Sequence, residues 1–195
     1  IKNIKKLSGI KVSGKTVTVG ATTKHVEVAS SKEVQKAIPA LAKLAGNIGD
    51  AQVRNRGTIG GSISNNDPSA CYPSACMALN AIIHTNNRKI PASKFFVGMF
   101  ETALKKGELV EAVEFEVPEK ADYQKHPNPA SRYAIIGVFV AKHKKEVNVA
   151  VTGAKSSVYI DKDLSKKLTS SFSSSAIEGM KLDHSEMNSD MHASS

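Results

Sequence analysis

Two adjacent glycines follow a hydroxyl residue in the segment Thr58-Ile59-Gly60-Gly61-Ser62. Glycine lacks a Cβ, so it permits positive φ and lets the backbone approach a ligand closely. Successive backbone N–H groups in such a turn can form a concave anion site that suits a phosphate or a pyrophosphate. Thr58 and Ser62 add hydroxyl donors, and Asp67 adds a carboxylate acceptor. The segment therefore predicts a phosphate-binding turn, and the alternative is a tight turn that binds no ligand.

Two arginines, Arg54 and Arg56, precede this turn. They are candidates to stabilise pyrophosphate charge or to dock a partner subunit, and structural salt bridges are the alternative. Replacing Gly60 or Gly61 by valine is expected to remove a bound cofactor and leave the domain folded, because a β-branched residue resists positive φ and blocks close approach.

The segments around the turn resemble one known family. They are the run 52–62, Asn66-Asp67-Pro68, the run 73–79 and three further stretches at 19–25, 90–98 and 149–154. Together they resemble the FAD-binding medium subunit of the molybdenum hydroxylases, which include aerobic carbon monoxide dehydrogenase and xanthine dehydrogenase. The resemblance covers nearly the whole chain, in order and with few gaps.

This resemblance implies an α+β fold in two parts. Residues 1–119 would form the second half of a two-subdomain FAD-binding domain of the vanillyl-alcohol-oxidase-like type. Residues 120–195 would form a small C-terminal antiparallel sheet with helices. Relatives begin with another subdomain, whose Ala-Gly-Gly-x-Ser/Thr loop holds the FAD pyrophosphate from the opposite side. Because the chain starts at Ile1 and matches no such loop, we expect a fragment that lacks both ends and binds FAD poorly alone.

The resemblance also implies which residues contact FAD, and it implies no catalytic residue and no metal ligand in this chain. For the residues outside the turn, the alternatives are a core position, an Asx-turn at the aspartate and a solvated loop lysine. At Cys71, where many relatives have an acidic residue, the chain departs from the family pattern. The implied FAD contacts are Thr58, Ile59, Gly60, Gly61, Ser62, Asp67, Ile48, Leu109 and Lys125.

The implied function is electron transfer. FAD in this subunit would pass electrons to an external acceptor, and the cofactor would supply the redox chemistry. The electrons would come from two [2Fe-2S] clusters in a small partner subunit, after substrate oxidation at the molybdopterin of a large partner subunit. The complex would be a cytoplasmic dimer of heterotrimers, and its substrate would depend on the molybdenum subunit. The alternatives are a stand-alone FAD-dependent reductase of the same fold and a non-catalytic basic binding or scaffold fragment.

The composition argues against several other classes of protein. The net charge is +9, yet the lysines are dispersed, only four basic residues are Arg, and aromatics make up 5%, so we predict no nucleic-acid function. Cys71 and Cys76 match no iron–sulfur or zinc spacing, and they favour a reducing compartment. The longest apolar run, residues 134–141, is far shorter than the ~20 residues that span a bilayer.

Hydrophobic periodicity and turn residues predict the elements that position the turn. The segment 119–132 is polar and contains two prolines, so we place a boundary there. Asp161 or Asp163 is the expected N-cap of a helix that follows the last strand. The predicted elements are a hairpin at 10–12 and 16–19, a helical stripe at 32–48 interrupted at Pro39, a helix from Pro73 to Leu79, a hairpin at 81–84 and 88–90, a strand at 113–117, and strands at 133–141, 147–152 and 156–160.

Overall fold

The computed structural model describes residues 4–181 and 186–189, and over these ranges it contains seven α-helices and eleven strands. The helices are α1 (His25–Ser30), α2 (Lys32–Ala37), α3 (Pro39–Gly46), α4 (Ala51–Arg56), α5 (Ile59–Asn65), α6 (Tyr72–Ala78) and α7 (Lys162–Ser170). The strands are β1 (Ile10–Ser13), β2 (Thr16–Gly20), β3 (Ile82–Thr85), β4 (Lys89–Pro91), β5 (Phe96–Gly98), β6 (Glu101–Thr102), β7 (Val110–Glu116), β8 (Lys120–Pro127), β9 (Ala134–Lys142), β10 (Val147–Thr152) and β11 (Tyr159–Ile160).

The strands form three antiparallel sheets. The first has the order β1-β2-β7-β3-β4, the second has the order β11-β10-β9-β8, and β5 pairs with β6 alone. The two hairpins predicted in the first sheet are confirmed, with Val12 opposite Val17 and Ile83 opposite Ile90. Separate antiparallel sheets with helices confirm the predicted α+β class.

The predicted helical stripe at 32–48 is confirmed as two helices, α2 and α3, that meet at Pro39. Ile38 has φ −141° and ψ 75° because the ring of the following proline disfavours the helical region for the residue before it. Five of the six apolar residues of the stripe, Val34, Ile38, Leu41, Leu44 and Ala45, are fully buried, whereas the sixth, Ile48, is only partly buried and lies beyond the end of α3. The two helices therefore present one continuous face to the core.

The polar boundary predicted at 119–132 is wrong as a description of local structure, because strand β8 occupies most of it. This strand lies at an edge of the second sheet, so one face of it is solvated and its sequence is mostly polar. Tyr123 is buried on its inner face, next to the Phe139 ring. The division of the chain between residues 119 and 120 falls in the connection from β7 to β8 and stays a prediction.

The remaining C-terminal predictions are confirmed in part. The strand predicted at 156–160 is shorter, at Tyr159–Ile160. Asp161 is the N-cap of α7, where its Oδ1 accepts a hydrogen bond of 2.9 Å from the Leu164 N–H. A 3-10 turn follows α7 at Ser174–Ile177.

Helix α6 is buried in the common core of both parts of the chain. Its apolar residues belong to one cluster that also contains Val17 of the first sheet and Phe139 of the second. The carbonyl of Ala78, in its last turn, lies 2.9 Å from His143 Nε2 and accepts a 3.1 Å hydrogen bond from Asn148 Nδ2. In the described ranges no helix is long and apolar enough to cross a membrane.

Candidate functional site

Helix α5 begins at the glycine pair, and it is anchored on the turn after β2. Thr58 is its N-cap, and the Thr58 hydroxyl oxygen accepts a 3.2 Å hydrogen bond from the Gly61 N–H. The Gly60 N–H donates to the Ala21 carbonyl at 2.9 Å, and the Ile59 N–H donates to the Thr23 carbonyl at 3.2 Å. These hydrogen bonds fix the start of α5 against the turn that follows β2.

The expectation of positive φ at the glycine pair is wrong, because both residues lie in the first turn of α5 and neither has positive φ. Gly60 is needed for a different reason. A Cβ at this position would lie 2.6 Å from the Ala21 Cβ and 2.7 Å from the Ala21 carbonyl oxygen. A Cβ at Gly61 would meet only the Thr58 hydroxyl, at 3.1 Å. Valine at Gly60 therefore cannot leave the fold intact, contrary to the sequence-based prediction, whereas at Gly61 only the Thr58 hydroxyl has to shift.

The predicted nest of backbone N–H groups is also wrong. The backbone N–H groups of residues 59, 60 and 61 already donate the hydrogen bonds described above. The Ser62 N–H donates to the Thr58 carbonyl at 3.0 Å, so none of these four amides is free to bind an anion. A ligand at this turn must therefore be held by side chains. In the helix cap the Thr58 hydroxyl oxygen accepts a hydrogen bond, so the hydroxyl proton stays available for donation to a ligand.

Two cavities meet at the start of α5. The first has a volume of about 900 Å³ and lies against the turn after β2 and the start of β7. The second has a volume of about 420 Å³ and lies between the α4–α5 connection and the link from β8 to β9. Arg56, Thr58 and Gly61 border both of them. The start of α5 is thus a wall that the two cavities share.

The structure brings eight of the nine predicted contact residues to these cavities. Thr58 and Gly61 border both cavities; Gly60 and Leu109 border the first; Ile48, Ser62, Asp67 and Lys125 border the second. The exception is Ile59, whose side chain is 0% exposed in the core and borders neither cavity. Only the backbone of Ile59 remains near the site.

The two arginines before the turn have different roles. Arg54 Nη1 donates to the carbonyls of Ile48 and Gly49 at 3.1 and 2.9 Å, so it holds the connection between α3 and α4. Arg56 is exposed, borders both cavities and has no ion-pair partner in the part of the chain that the structure describes. Its charge is therefore available to an anionic ligand at the junction of the cavities.

Lys125 lies in β8 and not in a loop, and its ammonium group is held by neutral acceptors. It donates to the carbonyls of Asn47 and Arg132, the latter at 3.0 Å, and lies 3.8 Å from the Cys71 sulfur. Burial raises the pKa of the Cys71 thiol, and the nearby Lys125 opposes this only in part. The thiol is neutral at pH 7, so it does not compensate the lysine charge beside the second cavity. Asp67 faces the same cavity and forms an Asx-turn, in which Oδ1 accepts a 2.8 Å hydrogen bond from the Ser69 N–H.

Sequence reasoning missed several residues that border the second cavity, among them His25, Arg132 and Tyr133. Tyr133 is 52% exposed at its rim, and Arg132 before it has a φ of 61°. His25 lies in a stretch that contributed to the family resemblance, which was the only signal for it. No local sequence signal marked Arg132 or Tyr133, because their position depends on how β8 and β9 are joined.

The residues that border the two cavities fit the chemistry of FAD, which carries a ring system at each end of a pyrophosphate. The junction offers a cation in Arg56, a hydroxyl in Thr58 and the side-chain-free position Gly61. Apolar side chains border the ends, with Leu109 in the first cavity and Ile48 and Tyr133 in the second. The chemistry of these residues therefore agrees with the sequence-based expectation of an FAD site.

Comparison with known proteins gives a consistent result. Residues 1–119 match the family described as the FAD binding domain in molybdopterin dehydrogenase. The chain is 38% identical over 147 residues to the glyceraldehyde dehydrogenase medium chain of Sulfolobus acidocaldarius. This match covers 72% of this chain and 52% of that protein. It is also 37% identical over 153 residues to the carbon monoxide dehydrogenase medium chain of Hydrogenophaga pseudoflava. That match covers 74% of this chain and 53% of the relative.

A solved structure supports the fold. It is the carbon monoxide dehydrogenase from Hydrogenophaga pseudoflava that lacks the Mo-pyranopterin moiety of the molybdenum cofactor, with a TM-score of 0.76 and 32% sequence identity. The match covers 83% of this chain and 61% of that chain. The chain thus spans about half the length of the curated relatives it matches.

Proposed function

The chain belongs to the FAD-binding domain family of the molybdopterin dehydrogenases, and from this we propose that it is the electron-transferring FAD subunit of a molybdenum hydroxylase. One observation carries the proposal: Arg56, Thr58 and Gly61 form the shared wall of two cavities that together suit an elongated, doubly charged ligand. We place the pyrophosphate of FAD at this wall.

The two ends of FAD are assigned by what borders each cavity. We place the flavin in the second cavity, where the Tyr133 ring can stack and where Lys125 and Asp67 offer polar contacts. The adenine half then lies in the first cavity, near Ala21 and Leu109. Lys5, Lys24 and Glu27 also border the first cavity, so with Arg56 its charged lining is positive on balance, which favours a phosphate-bearing ligand.

FAD, when bound, supplies the redox chemistry, and the side chains of this chain bind and orient it. Ile48 and Tyr133 would exclude water from the flavin face, and Arg56 would compensate the pyrophosphate charge. In the proposed complex the electrons come from [2Fe-2S] clusters of a small subunit, after oxidation of substrate at a molybdopterin in a large subunit. We further propose a cytoplasmic dimer of heterotrimers that does not bind nucleic acid.

The proposal is tested on the complex purified from its source through a tag on this subunit. We expect two further chains to co-purify, together with FAD, molybdenum and iron, and we expect the FAD to bleach when the complex receives its substrate without oxygen. Purification as a single chain that binds FAD and is reduced directly by a nicotinamide would instead indicate a stand-alone reductase. Purification without flavin or partners would indicate a scaffold fragment.

A further inference from the structure

We propose that His25 is a further cofactor contact, through a hydrogen bond between its Nε2 and the flavin or ribityl part of FAD. The proposal rests on the proposed function, because it assumes that FAD occupies the second cavity. No sequence signal assigned a role to this residue.

The position of His25 directs one edge of its ring toward the second cavity. Its backbone N–H donates to the Gly57 carbonyl at 3.0 Å, so the start of α1 is tied to the residue before Thr58. A Cβ at Gly57 would lie 2.5 Å from His25 Nε2. Gly57 and His25 both border the second cavity. The missing side chain of Gly57 therefore leaves an opening in which Nε2 lies.

The ring of His25 is buried without satisfying its own polar atoms. It is 4% exposed and packs against the Tyr72 ring, with 5.3 Å between ring centroids. Within the described residues, Nδ1 is sealed from solvent and has no hydrogen-bond partner. Nε2 has no such partner in those ranges either, yet it is not among the sealed atoms. Buried polar groups without partners are rare in native proteins, and a phenyl ring would fill the same space at lower cost.

Burial also fixes the charge of this ring. It lowers the pKa of His25 from 6.5 to about 4, so the imidazole is neutral at pH 7. A neutral imidazole has one donor and one acceptor nitrogen. The flavin ring offers carbonyl acceptors and an N3–H donor, and the ribityl chain offers hydroxyls that do both. Nε2 can therefore be paired in either tautomer once FAD is bound.

The test compares the affinities for FAD and for ADP, which lacks the flavin half, in the N-terminally extended chain and its variants. His25→Phe and His25→Leu remove the nitrogens, and His25→Gln keeps a polar group. We expect the first two to weaken FAD binding by about threefold to tenfold, the range for one hydrogen bond, and to leave ADP binding unchanged. His25→Gln should restore most of the loss, and the visible absorption of bound FAD should shift in the Phe and Leu variants only.

A matched control is His84→Phe, which alters a partly buried histidine of β3 that borders neither cavity. It should change neither affinity. An unchanged ratio of FAD to ADP affinity in a folded Phe or Leu variant would overturn the proposal for His25 alone. Failure of the unaltered chain to bind FAD, even when extended at its N-terminus, would overturn the proposed function instead.

Discussion

Gly60→Ala should destabilise the fold and Gly61→Ala should leave its stability nearly unchanged, although the two residues are adjacent. At Gly60 the added Cβ would lie 2.6 Å from the Ala21 Cβ and 2.7 Å from the Ala21 carbonyl oxygen. Two backbone segments would have to separate, which also lengthens the 2.9 Å hydrogen bond from the Gly60 N–H to that oxygen. At Gly61 the only close atom is the Thr58 hydroxyl at 3.1 Å, which moves by a small rotation.

These contacts give the magnitudes. Overpacking costs about 1–3 kcal/mol and a weakened hydrogen bond about 1 kcal/mol. Gly60→Ala should therefore lower the free energy of unfolding by about 2–4 kcal/mol, which for a chain of this size lowers Tm by roughly 4–16 °C. Gly61→Ala should gain up to about 1 kcal/mol of helix propensity, which the contact with Thr58 offsets, so its Tm should change by only about 2 °C.

The assay is thermal unfolding without ligand, followed by FAD titration of each variant that remains folded. Gly61→Val should fold and yet bind FAD at least about tenfold more weakly, because its side chain enters the space between the two cavities. A Tm for Gly60→Ala equal to that of the unaltered chain would refute the packing argument. Full FAD affinity in Gly61→Val would refute the placement of the pyrophosphate.

Three further predictions concern the two arginines, the titration of His25 and the basic net charge. Arg54→Ala should lower the free energy of unfolding by about 2 kcal/mol, because two hydrogen bonds to carbonyl groups are lost. Arg56→Ala should instead leave Tm unchanged and weaken FAD binding by about tenfold, with a larger effect at low salt than at high salt. The reverse pattern would contradict the roles assigned to the two arginines. The pKa of His25 is about 4 in the folded chain and 6.5 in the unfolded chain, so the unfolded chain binds a proton first as the pH falls. The free energy of unfolding should therefore be unaffected by His25 above pH 6.5 and should decrease as the pH falls toward 4. Chemical unfolding should show this decrease in the unaltered chain and not in His25→Phe. Binding to DNA or RNA should be weak, indifferent to sequence and abolished by salt, and sequence-selective submicromolar binding in a gel-shift titration at physiological salt would contradict this.

Local sequence patterns predicted the helices and strands that bury one face and expose the other. The stripe of α2 and α3 and its interruption at Pro39 were predicted from helical spacing and the steric effect of proline. The hairpin of β1 and β2 was predicted from alternation around the turn at Gly14, whose φ is 57°. These features depend on neighbouring residues alone, so the sequence is enough to find them.

Features that depend on distant segments were missed or misjudged. Strand β8 was missed because an edge strand needs few apolar residues, and here Tyr123 provides most of the inward contact. The role of Gly60 was misjudged because its constraint comes from Ala21, which lies 39 positions earlier in the chain. His25 and Tyr133 reach the second cavity only after α1 and the β8–β9 connection have packed, so no local pattern indicated them.

The most direct test of the central claim is an equilibrium titration of FAD into this chain and into a version extended at its N-terminus, each with and without Gly61→Val. The claim is that the wall formed by Arg56, Thr58 and Gly61 holds the pyrophosphate. We predict one bound FAD per extended chain, affinity weaker by several powers of ten in the 195-residue chain, and weaker binding with valine in both. Binding that is equally tight in both versions and insensitive to Gly61→Val would contradict the claim.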